Sequence, residues 1–476
     1  ETGENPKPEG SPEPTAELGA TTPGSPAEHC QAPSVANSGA ASSNDPAPGS
    51  PTPDSCPRGC ESCKFHEVRP CCVLLEVTQR CNLGCPVCYA GSSLGASPEE
   101  DPSLETISGW LDRIIERTGH ANLQMSGGEP TVRDDLPAIL ELARDKGFEY
   151  LQVNTNGIRI ATETGYAKTL KDAGASCIFL QFDGVSDDVY RTLRGRPLMS
   201  LKLAAIDACK DAKLPVVLVP TIVRGVNEHQ LGKIVEVGIE NHPTVRGVHI
   251  QPMAWFGRFP KSQDGSNAGR ALSGTNGRVA VSEDHLEKRA SDSTLATVEN
   301  GRITIPGVLA ELDYQTRGMV AIDHFTGGSA ESPYCSFSAS YRIDGSGRLK
   351  HISSANPSCC GAVAPDAVSH ARKANSLRWG VDLDSLDSHP KPGSLDEFLV
   401  ESRRTMFSIT GMAFMDADTL DLNRLRRCYI FIMRPDGDLI PFCAYNLTSR
   451  NGTSLYRPTS AELETEKTVE SKVSSR

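Results

Sequence analysis

Short apolar runs alternate with longer amphipathic stretches between residues 73 and 255. The short runs are rich in Val, Ile, Leu and Phe and several are followed by Gly, which is typical of buried parallel strands. The longer stretches repeat apolar residues at helical spacing, as at Leu104, Ile107, Leu111 and Ile114. Strand and helix alternate about six times. This pattern predicts an α/β fold built on a parallel sheet or open barrel, a partial (β/α)6 TIM-like barrel at 73–255.

The pattern changes on both sides of this region. Residues 1–55 consist mainly of Pro, Gly, Ser, Ala and Glu, so they lack the apolar surface that would offset the entropy of ordering and are predicted to be a disordered tail. The periodicity weakens after the barrel region. We expect a polar insertion or linker at 256–300, a second Cys-containing region at 301–456 and a disordered C-terminal tail at 457–476.

Charge and hydropathy exclude two classes of partner. The 476-residue chain has a formal net charge of -12, but residues 1–55 alone contain eight Asp or Glu and one Lys. The remainder is near neutral and shows no basic stripe, so no nucleic-acid partner is predicted. No run of 18 apolar residues suggests a membrane span, and the N-terminus lacks a secretory pattern. We therefore expect a cytoplasmic protein, with membrane contact at most peripheral.

Sixteen cysteines, in a chain without an export signal, favour metal binding over disulfides. Three of them, Cys81, Cys85 and Cys88, lie in RCNLGCPVCYA (80–90), directly after the first predicted strand. A structural zinc site needs four ligands, so zinc would require a distant Cys or His. A 4Fe–4S cluster held by three thiolates would instead leave one iron open to another ligand.

Four short motifs follow successive predicted strands. CNLGCPVC (81–88) has the spacing CxxxCxxC, and SGGEPT (126–131), NTNG (154–157) and QFDG (181–184) come after the second, third and fourth strands. In this order the motifs resemble the radical S-adenosylmethionine (radical SAM) superfamily. The resemblance implies a radical SAM barrel with Cys-rich N- and C-terminal extensions. It also implies that reductive cleavage of SAM yields a 5′-deoxyadenosyl radical, which abstracts hydrogen from the substrate in an oxygen-sensitive reaction.

The resemblance assigns roles around the cluster. The thiols of Cys81, Cys85 and Cys88 would bind three irons, and the amino and carboxylate groups of SAM would chelate the fourth. Gly127 and Gly128 would let the backbone approach the SAM amino group. Glu129 would accept a charge-assisted hydrogen bond from that ammonium. The remaining expected SAM contacts, with adenine, ribose or carboxylate, are Tyr89, Asn154, Asn156, Gln181 and Asp183. For the NTNG residues a plain turn is the alternative, and Asp183 has the alternative of shaping the turn after the fourth strand.

Two further cysteine groups are predicted to bind metal. The upstream segment 56–72 supplies enough thiols for a four-thiolate iron or zinc site or one auxiliary cluster. Its members are Cys56, Cys60, Cys63, Cys71 and Cys72. The C-terminal group suffices for one fully thiolate-ligated cluster, with buried unliganded cysteines as the alternative. Its members are Cys335, Cys359, Cys360, Cys428 and Cys443. We expect Cys177 and Cys209 to pack in the core.

The upstream CPRGCESC, the barrel motifs and FMDADTLDLNRLRRCYIFIMRPDGDLIPFCAYN (414–446) together resemble the tetraether lipid synthase group. This resemblance implies auxiliary iron–sulfur clusters, a rubredoxin-like mononuclear iron and coupling or other modification of long lipid chains. The expected partners are a small-molecule or lipid substrate and an electron donor such as a reductase with ferredoxin or flavodoxin. The alternatives are a radical SAM peptide or protein maturase with auxiliary clusters and a zinc-stabilised binding protein that has lost the chemistry.

Overall fold

Thirteen strands form one mixed, mostly parallel sheet in the computed structural model, which describes residues 70–92, 96–259, 301–328, 331–352, 367–388, 390–449 and 452–457. The strands are β1 (Cys72–Thr78), β2 (Asn122–Gly127), β3 (Leu151–Thr155), β4 (Cys177–Gln181), β5 (Val216–Val219), β6 (Thr221–Ile222), β7 (Val245–Pro252), β8 (Thr326–Gly327), β9 (Ser336–Ile343), β10 (Leu349–His351), β11 (Met406–Met412), β12 (Ile430–Met433) and β13 (Leu439–Pro441). Their order is β10-β9-β11-β7-β5-β4-β3-β2-β1-β12-β13, with β6 beside β7 and β8 beside β9.

Helices connect the strands of the sheet. They are α1 (Leu104–Thr118), α2 (Leu136–Asp145), α3 (Ile158–Thr162), α4 (Tyr166–Ala173), α5 (Asp187–Arg194), α6 (Met199–Asp211), α7 (Leu231–Glu240), α8 (Ile305–Thr316), α9 (Ala367–Trp379), α10 (Leu395–Thr405), α11 (Leu422–Arg426) and α12 (Phe442–Tyr445). In the described part of the chain, none of them is long and apolar enough to cross a membrane.

Strands β1 to β5 and β7 are parallel and follow one another in the sheet, with helices in the connections between them. On β1, Val73, Leu75 and Val77 enter the main hydrophobic core, which also contains the inner faces of these helices. Cys72 and Leu74 lie on the opposite face of the strand in a second apolar cluster, because successive strand residues point to opposite sides. The predicted α/β fold with a mostly parallel sheet is confirmed.

The C-terminal region continues the same sheet. Strand β11 is parallel to β7, and β12 is parallel to β1. The antiparallel strands β9 and β13 then extend the sheet beyond them. Residues 301–456, predicted as an auxiliary region after the barrel, therefore supply strands on both sides of the six-stranded barrel core.

Helix α9 packs against residues at the amino ends of β2 to β4. Its Trp379 contacts a small cluster with Tyr150, Cys177 and Phe179, and the backbone carbonyl of Arg372 accepts a hydrogen bond from Asn122 Nδ2 at 3.2 Å. Cys177 belongs to this cluster and Cys209 to the main core, as expected for packing residues. The predicted tail at 1–55 and residues 260–300 of the predicted linker lie outside the described residues.

Candidate active site

One cavity of about 230 Å³ lies among the strands and reaches the loops at their carboxyl ends. Ten of the eleven barrel residues expected to bind the cluster or SAM line it. They are Cys81, Cys85, Cys88, Tyr89, Gly127, Gly128, Glu129, Asn154, Asn156 and Gln181. The exception is Asp183. Parallel strands end at the same edge of a sheet, which explains why motifs far apart in sequence meet here.

The loop that carries the three cysteines is held by the segment after β7. Arg258 Nε donates a hydrogen bond to the Cys85 carbonyl at 2.7 Å, and the backbones of Cys88 and Arg258 pair through two 2.9 Å hydrogen bonds. A Cβ atom at Gly257 would come within 2.5 Å of the Cys88 and Tyr89 carbonyls. Residues 257–258, which the sequence pattern placed in a polar linker, therefore fix the shape of the cysteine loop.

The thiols of this loop lie in a poorly solvated setting. Burial raises the pKa of Cys81 to about 12. It also raises the pKa of Cys85, where the nearby Arg194 guanidinium partly offsets the effect. Leu83 N–H donates to Cys81 Sγ at 3.4 Å. Iron binding requires thiolates and therefore releases these protons.

No three His, Cys, Asp or Glu side chains within the described ranges are grouped closely enough to hold a single metal ion. A 4Fe–4S cluster makes a different demand, because its thiolates bind separate iron atoms. Three thiols around one cavity suit that arrangement, so the residues present fit a cluster better than a mononuclear zinc site.

Gly127 and Gly128 join β2 to the start of the cysteine loop. A Cβ atom would lie 2.1 Å from the Thr78 carbonyl oxygen at Gly127, and 2.1 Å from the Arg80 carbonyl oxygen at Gly128. The Gly128 and Glu129 N–H groups donate to these same carbonyls, each at 2.8 Å. The expectation that these glycines serve the approach of SAM is therefore incomplete, because backbone packing against the loop already requires them.

Glu129 is 2% exposed, and four hydrogen bonds converge on its carboxylate. Oε1 accepts from Thr131 N at 3.1 Å, Thr131 Oγ1 at 2.6 Å and Thr155 Oγ1 at 2.6 Å. Oε2 accepts from Asn156 N at 2.7 Å. Glu129 thereby caps the short helix Pro130–Val132 and ties the ends of β2 and β3 together, in addition to any contact with SAM.

We expect Glu129→Gln to lower the free energy of unfolding by about 1–3 kcal/mol, because an amide NH2 replaces one of the buried accepting oxygens. Urea denaturation would measure this loss, with the half-exposed Glu163→Gln as a control expected within about 0.5 kcal/mol of the parent. If Glu129 also accepts from the SAM ammonium, SAM affinity falls more than iron content. Loss of iron with unchanged SAM affinity would contradict that role.

Asp183 lies behind the cavity wall. It is fully buried, and its carboxylate forms a bidentate pair with Arg194 through two 2.7 Å contacts, while Thr221 N donates to Oδ1 at 3.0 Å. Arg194 Nη1 also donates to the Val87 carbonyl at 3.0 Å, between the second and third cysteines. Asp183 does not line the cavity, so its surroundings favour the alternative that it shapes the turn after the fourth strand, and its contact with the cofactor stays a prediction.

Asn156 of the NTNG motif connects the end of β3 to the cysteine loop. Asn156 Nδ2 donates to Asn82 Oδ1 at 2.7 Å, and Asn156 Oδ1 accepts from Ile158 N at 3.0 Å. Beneath them, the fully buried Lys202 donates to the Asn156 carbonyl at 2.6 Å, and burial lowers the pKa of Lys202 to about 8. The same residues thus form the turn and part of the cavity wall. No sequence pattern predicted the contact of Lys202 with Asn156.

Comparison with known proteins agrees with this geometry. A model of the radical SAM superfamily matches residues 75–237. A 7,8-dihydro-6-hydroxymethylpterin dimethyltransferase from Methanocaldococcus jannaschii is 30% identical over 443 residues, covering 83% of this chain and 80% of that protein. The chain belongs to the radical SAM superfamily.

Other radical SAM relatives match a smaller part. A probable GTP 3′,8-cyclase from Methanothermobacter thermautotrophicus is 30% identical over 163 residues, or 34% of this chain and about half (52%) of that protein. Among solved structures, Streptococcus suis SuiB bound to S-adenosylmethionine shares 14% identity over 40% of this chain and 42% of that chain, with a TM-score of 0.34. A similarity at that score supports no conclusion about function.

The chain is thus a radical SAM enzyme, and membership implies SAM and a 4Fe–4S cluster as cofactors. The finer resemblance to the tetraether lipid synthase group is not supported. The relative that matches most of the chain is named for a pterin, and none of these similarities points to a lipid substrate.

Three of the cysteines predicted to hold auxiliary metal in this radical SAM enzyme meet at a second, small cavity. Cys335, Cys428 and Cys443 line a space of about 30 Å³, where Arg424 Nε donates to Cys335 Sγ at 3.3 Å. Cys72 packs in the same apolar cluster as Cys443, and Cys71 is fully buried beside it in the sequence. The other candidates, Cys56, Cys60, Cys63, Cys359 and Cys360, lie outside the described residues, so the auxiliary clusters and the rubredoxin-like iron stay predictions.

Proposed function

We propose that this radical SAM enzyme modifies C–H bonds of a small, pterin-like heteroaromatic substrate, with methylation as the favoured reaction. The observation that carries the proposal is the wall of the main cavity, which combines carboxamides with aromatic rings around a compact space. The similarity to a pterin dimethyltransferase across most of both chains supports the same substrate class.

The carboxamides of this wall are held in defined orientations. Asn154 Nδ2 donates to Gln124 Oε1 at 3.1 Å, and Asn154 Oδ1 accepts from Gln152 Nε2 at 2.6 Å. Gln251 lines the same cavity from β7, and Phe179 and Phe414 add aromatic faces. A flat heterocycle offers apolar faces and polar edges, so it matches such a wall.

A long saturated lipid chain matches it less well. Such a chain forms no hydrogen bonds, so burying Gln124, Asn154 and Gln251 against it would leave their remaining polar atoms without partners, at about 1–3 kcal/mol each. The lipid-coupling hypothesis therefore gains no support from the cavity. A peptide maturase remains the other enzyme class.

Within this proposal the cysteine loop and the ends of β2 and β3 serve the cofactors. Cys81, Cys85 and Cys88 would hold the cluster, and Gly127 to Glu129 together with Asn156 would surround the methionine part of SAM. When bound, the cluster and SAM supply one-electron cleavage and hydrogen abstraction. The chain itself orients the substrate beneath the cysteine loop and limits access of water, with a ferredoxin or flavodoxin as the proposed electron donor. Cys335, Cys428 and Cys443 are proposed ligands of an auxiliary iron–sulfur cluster.

The proposal predicts SAM-dependent methylation of a pterin. Anaerobically reconstituted protein is incubated with 7,8-dihydro-6-hydroxymethylpterin, excess SAM and dithionite. For each methyl group added, one SAM is expected to end as 5′-deoxyadenosine and methionine, and a second SAM donates its methyl group and leaves as S-adenosylhomocysteine, with dithionite supplying two electrons. The pterin mass should rise by one or two CH2 units. Isoprenoid and fatty-acyl lipids serve as parallel substrates, measured by the same mass spectrometry. Lipid products with no pterin product would overturn the proposal in favour of the lipid hypothesis.

A further inference from the structure

A histidine faces the proposed substrate region from the middle of β7. Val248 and Ile250 point into the main core, so alternation directs the side chains of His249 and Gln251 to the other face. Both of these line the cavity. Strand β11 lies beside β7 with Thr410 opposite His249, which places the two side chains next to each other on the same face.

The imidazole ring of His249 is fixed on several sides. Its Nδ1 is 2.8 Å from Thr410 Oγ1. The ring centroid lies 5.7 Å from that of Phe179 and 5.7 Å from that of Trp379, in tilted and edge-to-face arrangements. These contacts determine the ring's orientation before any substrate arrives, which reduces the entropy that binding has to offset.

Thr410 is the hydrogen-bond partner of one of the two ring nitrogens of His249. No hydrogen bond among the described residues uses His249 Nε2. Burial, reinforced by Arg378, lowers the pKa of His249 to about 4, so the ring is neutral near pH 7 and has one donor and one acceptor nitrogen. Because the Thr410 hydroxyl can either donate or accept, Nε2 can present either role to a molecule in the cavity.

We propose that His249 is a specificity-determining residue that binds a polar edge of the heteroaromatic substrate through Nε2, with Thr410 holding the ring through Nδ1. This inference rests on the proposed function, since it assumes a substrate with hydrogen-bonding edges. It assigns His249 no part in cluster or SAM binding. Loss of Nε2 therefore weakens substrate binding and leaves the binding of the cluster and of SAM unaffected.

The test measures the affinity for 7,8-dihydro-6-hydroxymethylpterin by anaerobic equilibrium dialysis in the holoenzyme. His249→Phe keeps an aromatic ring against Phe179 and Trp379 and is expected to raise the Kd about tenfold or more. His249→Gln retains a donor and an acceptor, so it should recover part of the affinity. Thr410→Val keeps the shape of the side chain but removes the hydroxyl, so its Kd should lie between those of the parent and His249→Phe.

Two controls separate a binding role from a structural one. Ser408 lies on the same strand as Thr410, and its buried Oγ has no hydrogen-bond partner among the described residues. The Kd of the Ser408→Ala variant should therefore equal that of the parent. 5′-Deoxyadenosine formed from SAM in the absence of pterin should be the same in His249→Phe as in the parent.

Three outcomes would overturn the inference. An unchanged Kd in His249→Phe would exclude the contact while leaving the proposed function intact. If both His249 variants lost SAM cleavage in the absence of pterin, the role of His249 would be structural. Absence of pterin binding in the parent protein would reject the inference together with the proposed function.

Discussion

Cys85→Ala is expected to abolish SAM cleavage without unfolding the chain. Cys85 is one of three thiols that line the cavity, and a cluster that loses one of three protein ligands is no longer held in place. Iron content should fall by about four atoms per chain, and 5′-deoxyadenosine should be undetectable by chromatography under anaerobic conditions with dithionite. Iron that remains in the variant would indicate the proposed auxiliary sites.

The matched control is Cys209→Ala. Cys209 is also buried, but it packs among apolar residues of the main core, where burial alone raises its pKa to about 12. This variant should keep the iron content and the SAM cleavage of the parent, at a modest cost in stability. SAM cleavage at the parental rate in Cys85→Ala would show that the loop does not hold the catalytic cluster.

Arg194→Met is expected to cause the largest loss of stability. It leaves the fully buried Asp183 carboxylate without its bidentate partner, and breaking a buried pair in this way costs about 3–5 kcal/mol. It also removes the hydrogen bond from Arg194 to the Val87 carbonyl in the cysteine loop. Urea denaturation should show the loss in the free energy of unfolding, and cluster loading should fall with it.

Arg191→Met provides the control from the same helix. Arg191 pairs with Asp188 at 2.8 Å, but both side chains are largely exposed, and such surface pairs contribute about 0–1 kcal/mol. Its unfolding curve should therefore nearly overlay that of the parent. Equal destabilisation by the two substitutions would mean that the Asp183–Arg194 pair does not anchor the cysteine loop.

The barrel strands were predictable because burial on both faces leaves continuous apolar runs, as in Val216–Val219. Sequence analysis did not predict strands β11 and β12. Several of their apolar residues are as buried as those of the first six parallel strands, and Phe407, Ile409 and Ile432 are fully enclosed. They belong to the same sheet because they pair with β7 and β1. Strands that are so far apart in the sequence leave no local sequence pattern that would predict their pairing.

The motifs predicted most of the residues proposed to bind the cofactors. They did not predict the residues that hold those motifs in place. Arg194 contacts a carbonyl 107 residues away, and Arg258 one 173 residues away. Asp183 belongs to a motif, which suggested either a cofactor contact or a role in the turn, and the fold pairs its buried carboxylate with Arg194 in the next helix. A motif records which residue types recur at a spacing, and the fold decides which of them face the cavity.

The substrate was the least predictable part. Short motifs after the strands describe the part of the cavity that would bind SAM under the proposed function. The other part consists of residues within strands, such as Gln124, Phe179 and His249, and these carry no motif because alternation alone directs them inward. The lipid expectation came from a resemblance of motifs, whereas the proposed heterocyclic substrate follows from the side chains of the cavity wall and from the similarity to a pterin dimethyltransferase.

The pairing of Cys72 with Ile430 has a consequence for biosynthesis. During translation, β1 emerges from the ribosome long before β12, so one edge of the strand that leads into the cysteine loop initially presents unpaired N–H and C=O groups. Domains generally fold as units during synthesis, and this unit is complete only when its C-terminal strands have emerged. A shortened chain that ends after β7 would keep all four motifs and still expose that edge to aggregation.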